Sequence, residues 1–116
     1  MDNKSTPWRE RFGLKTCAAS DLAKAFPEKA LGVAVIYAVE DGAEQTYLVI
    51  ESRAQSLREQ CLKRLQTAKL PALETLSVAY LAEVLPESTP EAVHAACREQ
   101  VILAGALRRE LRPAMR

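Results

Sequence analysis

Residues 32–51 limit the fold more tightly than any other stretch of the chain. Residues 32–39, GVAVIYAV, are rich in Val, Ile and Tyr, the side chains that suit a pleated surface. Almost every position is apolar, so a strand here is expected to be covered on both faces. Residues 46–51, TYLVIE, have the same character. Between them Glu40-Asp41-Gly42-Ala43 supplies a turn, because Asp and Gly tolerate the backbone angles of a tight hairpin tip. A loop this short makes the two strands antiparallel neighbours. A lone hairpin is marginal in water, so the rest of the chain must close its core.

Helical spacing begins directly after the second strand. Ala54, Leu57, Cys61, Leu65 and Ala68 form one apolar stripe over 53–68, with Leu62 beside it. Ser52 is the expected N-cap, and Pro71 ends the region. Arg53, Arg58, Lys63 and Arg64 fall on or near the other side, mixed with Glu59. In 74–85, Leu76, Val78, Tyr80 and Ala82 alternate with Thr75, Ser77 and Ala79. That favours a third strand, with a helix as the alternative because Ala, Leu and Glu are good helix formers.

The last long segment, 88–110, reads as a helix. Ser88-Thr89-Pro90-Glu91 sets a hydroxyl cap, a proline in the first turn and a capping-box glutamate. Its expected stripe is Val93, Cys97, Val101, Ala104 and Leu107. A short helix over 20–26 is capped by Ser20 or Asp21 and stopped by Pro27. Trp8 and Phe12, four apart, would share a helical face and either pin an N-terminal arm to the core or hold a partner.

The expected fold class is therefore α/β (α+β): a small three-stranded antiparallel sheet flanked by helices, in the order α-β-β-α-β-α. Its 116 residues suit a single domain, with 1–15 a partly flexible arm whose first residues fray and 111–116 a frayed basic tail. Apolar residues make up 48% and charged residues 27%, enough apolar surface to offset the entropy of ordering. Sixteen basic and fifteen acidic residues leave no general field for nucleic acid or membrane, so such binding needs a local patch. Cys17, Cys61 and Cys97 form no zinc-like cluster. The N-terminal MDNKSTPWRERF lacks the apolar core of a signal peptide, and no run approaches the ~20 apolar residues of a membrane span. The expected setting is cytoplasmic, with no membrane partner.

The run FPEKALGVAVIYAVEDG at 26–42, the strand TYLVIESR and the segment LREQCLKRL resemble the opening of the GIY-YIG domain, its second signature strand and its first helix. Glu99-Gln100-Val101-Ile102 resembles the family's metal-binding glutamate segment. The resemblance covers about three quarters of the chain and implies a DNA endonuclease ancestry. It fits two registers. In one, Gly32-Val33-Ala34 and Leu48-Val49-Ile50 stand for the two signatures and Arg58 for the helix arginine. In the other, Tyr37 and Tyr47 are the signature pair.

In neither register is the second signature's glycine kept, since Val49 or Ile50 stands there. The helix His or Tyr falls near Cys61 or Leu62, and the only asparagine is Asn3. The resemblance thus implies a scaffold that has lost nuclease activity and serves as a nucleic-acid-binding, protein-binding or regulatory module. The alternatives are an active divalent-metal-dependent endonuclease of the same type and an unrelated α/β interaction domain.

Nuclease chemistry of this kind needs a carboxylate for Mg²⁺ or Mn²⁺, an arginine for developing charge and a group to activate the nucleophile. Glu99 is the metal candidate; Tyr37, Tyr47 and Arg58 are the catalytic candidates. Each has a plainer reading, as an ion-paired or stripe-edge glutamate, packing tyrosines in strands and a solvated arginine. Arg53, Arg58, Lys63 and Arg64 are the nucleic-acid-binding candidates. If they converge with Lys69, Arg108, Arg109, Arg112 and Arg116, they could hold a phosphate backbone. His94, the only histidine, falls on the outer side of the last helix.

Overall fold

The computed structural model describes residues 7–87 and 89–114. Residues 1–6, Ser88 in the proposed cap and Arg116 in the proposed patch lie outside the described residues. In chain order the elements are α1 (Trp8–Arg11), β1 (Lys15–Ala18), α2 (Leu22–Ala25), β2 (Leu31–Glu40), β3 (Ala43–Glu51), α3 (Leu57–Thr67), β4 (Ser77–Glu83) and α4 (Pro90–Leu111). Single 3₁₀ turns precede α2 and β4.

The sheet is antiparallel with order β1-β4-β2-β3. Among the described residues it has four strands where three were expected. The extra one, β1, is the four-residue Lys15-Thr16-Cys17-Ala18, which pairs with β4 from Lys15↔Tyr80 to Ala18↔Ser77. An edge strand this short and polar carries no alternating signature, and such edges resist further pairing. The third expected strand is present as β4, beside β2, with the start of its segment forming a 3₁₀ turn at Leu73–Thr75.

The hairpin turns where expected. Asp41 and Gly42 both have positive φ, 51° and 78°, as a type I′ tip requires. Midway along, Ile36 pairs with Leu48 but Tyr37 pairs with Thr46. Tyr47 is thus the extra residue of a β-bulge, an insertion that increases local twist.

Alternation along β2 then divides the core. Ala34, Ile36 and Ala38 face a cluster with Leu22, Phe26, Leu57, Cys61 and Val78. Val33, Val35 and Tyr37 face a second cluster with Trp8, Val49, Ala104 and Leu107. The first lies under α2 and α3, the second under α1 and α4. Trp8 sits edge-on to Tyr37, with ring centroids 5.6 Å apart, and its Nε1–H donates to Glu44 at 2.8 Å. Arg11 pairs with Glu110, tying α1 to the end of α4.

Two expectations for the helices need correction. α3 begins at Leu57, not near Arg53, and its N-cap is Ser56, whose Oγ accepts from the Glu59 N–H at 3.4 Å. Ser52 is spent on β2 instead, accepting from the Gly32 N–H at 2.9 Å. Arg53 follows it in the left-handed region at φ 58°, so the helix cannot start there, and Ala54 is exposed. On α4 the buried line is Gln100, Ala104 and Leu107, and Val101 faces outward, 58% exposed. Thr89 supplies the hydroxyl cap of α4, accepting from the Ala92 N–H at 3.2 Å, so Ala92 and not Glu91 stands at the third helical position and the expected capping box is not formed. Among the described residues no helix is long and apolar enough to cross a membrane.

Candidate functional site

The end of β3 is held by a polar clamp. Ser52 is fully buried; its N–H donates to the Gly32 carbonyl at 3.0 Å, and its hydroxyl donates to Gln100 Oε1 at 3.2 Å. Gln100 reaches down from α4 and is only 4% exposed. Its Oε1 also accepts from the Arg53 N–H, and its Nε2 donates to the Arg53 carbonyl at 3.3 Å. A buried amide must be paired, and here both ends of the Gln100 side chain are used to fix one peptide turn. That turn accounts for the left-handed Arg53, a conformation that a non-glycine residue keeps only when its surroundings enforce it.

Beside the clamp lies a polar pocket of about 360 Å³. Arg53 from the turn, Arg64 from α3 and Arg108 from α4 line it, with Glu51, Gln55 and Gln60. Arg108 is anchored at 3.0 Å to both the Glu51 carboxylate and the Val49 carbonyl. The other Glu51 oxygen is buried without a hydrogen-bond partner among the described residues. Three guanidiniums and two glutamine amides against one carboxylate make the pocket donor-rich, which suits oxyanions. The Ser52 hydroxyl in its lining is engaged by the Gly32 N–H and Gln100, and the Glu51 carboxylate is bound to Arg108.

The structure brings together Arg53, Arg64 and Arg108 from the expected basic group. Arg58 stands on the far flank of α3, about 120° around the helix from Arg64, and Lys63 points to solvent. Neither Lys69, Arg109 nor Arg112 lines the pocket. The cleavage candidates are divided between the two faces of the sheet. Tyr37, 6% exposed, is packed under Trp8 on the α4 side, where burial is the main cause of a raised phenol pKa and the Arg9 guanidinium partly opposes it. Tyr47, the bulge residue, packs on the α3 side.

Glu99 is exposed at the rim of a different depression, a cleft of about 200 Å³ between α4 and the start of β2. Glu83 is the other acid there, and the walls are mostly apolar, including Val33, Leu81 and Leu103. The Gln100 oxygen at its base is taken by the clamp. A hard divalent ion demands an oxygen-rich shell, and among the described residues no three His, Cys, Asp or Glu side chains gather to hold one. Glu99 and Glu83 are the two carboxylates that the described lining of the cleft offers a divalent ion.

Composition and spacing do not distinguish Glu51 and the two pocket glutamines from ordinary polar residues. One signal pointed to Gln100: it lies at i, i+4, i+7 with Ala104 and Leu107, a buried position for a residue that must then find partners. Comparison with family models, with curated proteins and with solved structures finds no match to the chain.

Proposed function

We propose that this chain is a non-cleaving, GIY-YIG-like module that binds the phosphate backbone of a nucleic acid through the arginine pocket at the end of β3. The observation that carries the reading is the meeting of Arg53, Arg64 and Arg108, from three different elements, in one donor-rich pocket. The succession hairpin, helix, strand, helix from β2 to α4 supports the family likeness. The separation of Tyr37, Tyr47, Arg58 and Glu99 supports binding over cleavage.

A fluorescence-anisotropy titration with labelled single- and double-stranded DNA and RNA tests it. Binding is expected to weaken steeply with salt, because phosphate contacts release counterions. Arg53→Glu and Arg64→Glu should each weaken it about tenfold or more, whereas Arg58→Glu should change it little. Absence of binding at low salt, or equal loss on Arg58→Glu, would overturn the assignment. In the companion assay, plasmid incubated with the protein and Mg²⁺ or Mn²⁺ should remain intact. Cleavage lost on Glu99→Ala would restore the nuclease alternative.

A further inference from the structure

The outward face of α4 carries a pattern that the fold does not use. Ile102 is 72% and Val101 58% exposed at the middle of a 22-residue helix. With His94, Cys97 and Arg98 they line a shallow, mostly apolar depression on the outer surface. Opposite the buried line of Gln100, Ala104 and Leu107 runs a stripe at alternating steps of four and three: Glu91, Ala95, Arg98, Ile102, Gly105 and Arg109. That is the spacing of a two-helix seam.

The stripe is complementary to itself when reversed. Laid antiparallel about a two-fold axis level with position 100, Glu91 faces Arg109, Ala95 faces Gly105, and Arg98 faces Ile102. Opposite charges meet at both ends, and small residues meet where the helices must approach closely. The two Val101 side chains flank the axis. A parallel pairing would instead set Glu91 on Glu91, Arg98 on Arg98 and Arg109 on Arg109. Among the described residues neither Glu91, Arg98 nor Arg109 has a salt bridge within the chain.

Gly105 lies at the close-approach position of this stripe. A glycine inside a helix costs about 1 kcal/mol relative to alanine, and nothing in the fold requires one there. A Cβ would meet only the flexible Arg109 side chain, at 3.5 Å.

We propose that α4 is a homodimer interface, pairing antiparallel with α4 of a second copy of this chain through the Glu91–Arg109 stripe. A single helix pair falls near the low end of specific interfaces, roughly 1,000 Å², so the dimer should dissociate measurably on dilution.

Sedimentation velocity on the whole chain from about 1 to 200 µM tests the proposal. The expected result is a shift from monomer to twice that mass across the range. Ile102→Lys should remain monomeric throughout, with unchanged far-UV circular dichroism. Glu91→Arg and Arg109→Glu should each raise the dissociation constant about tenfold, and the two together should return it to within about threefold of the parent. Gly105→Gln separates association from folding: it should raise the thermal midpoint at low concentration, through helix propensity, while weakening the dimer. A monomer at every concentration would overturn the proposal. So would an Ile102→Lys dimer as strong as the parent, or failure of the double charge reversal to restore association.

Discussion

On one face of the sheet, Phe26, Leu57 and Cys61 meet Ile36, Leu48 and Val78 in a cluster closed by short elements and turns. On the other, a single long helix lies across β2 and β3, and its buried line begins with a glutamine. The first face is dry: the Cys61 thiol is fully buried, and its surroundings push its pKa up to about 12. The second face gives up part of its apolar contact so that Gln100 can clamp the Ser52-Arg53 turn. Oil-like packing fixes where α3 lies, because such packing is strong and nondirectional. Directional hydrogen bonds fix where Arg53 lies, and the arginine pocket has formed beside them. The division is one of labour: one face supplies stability, the other supplies geometry.

The sharpest challenge to this contrast is at Gly32, where β2 meets both the clamp and β4. A Cβ there would stand 1.8 Å from the Leu81 carbonyl oxygen, and backbone cannot yield as a side-chain tip can. Gly32→Val should cost more than about 3 kcal/mol, seen as loss of the cooperative urea transition at 25 °C. Next come the two buried leucines. Leu57→Ala on the dry face should cost about 4 kcal/mol and Leu107→Ala under α4 about 3 kcal/mol. Urea midpoints that reversed this order would break the assignment of stability to the α3 side.

Gln100→Leu should follow at about 2 kcal/mol, since the Arg53 N–H and the Ser52 hydroxyl lose their buried acceptor. It should also weaken the proposed nucleic-acid binding, because Arg53 is no longer held. If binding survives intact, the clamp does not set the pocket.

The smallest effect is with pH. Burial raises the pKa of Cys61 from 9.0 to about 12 and raises those of Tyr37 and Tyr80 as well. All three hold their protons more tightly folded than unfolded, so their contribution is fully present below about pH 9 and is lost as pH rises from there toward 12. Thermal midpoints should be flat with respect to these groups up to about pH 9 and fall above it, less steeply in Cys61→Ala.

The hairpin was legible because two signals agree there: an unbroken β-branched composition and an Asp-Gly tip with one good conformation. β1 was not legible, because Lys15-Thr16-Cys17-Ala18 has neither hydrophobic run nor alternation and becomes a strand only by lying against β4. Ser52 and Ser56 are equally good caps by composition. What chooses Ser56 is the Gly32 N–H, which claims the Ser52 oxygen. The facing of α4 is not legible from spacing because apolar residues occur on several of its sides. Val101 and Ile102 look more suited to a core than Gln100 does, yet the glutamine is turned inward by its bonds to a turn some 47 residues earlier. For the site, the arginine group could be named but not sorted. Spacing on α3 says which residues share a face, not that Arg108 of α4 would complete it.

Trp8 is the chain's only tryptophan, and it touches three things at once: the Tyr37 ring, the Glu44 carboxylate and the Arg9 guanidinium, 4.9 Å from its own ring. Its emission therefore reports a single event, the seating of α1 on the hairpin. A fluorescence trace will follow that event, while far-UV ellipticity follows α3 and α4. Any lag between the two signals during refolding measures how late the N-terminal segment arrives on a sheet already assembled without it.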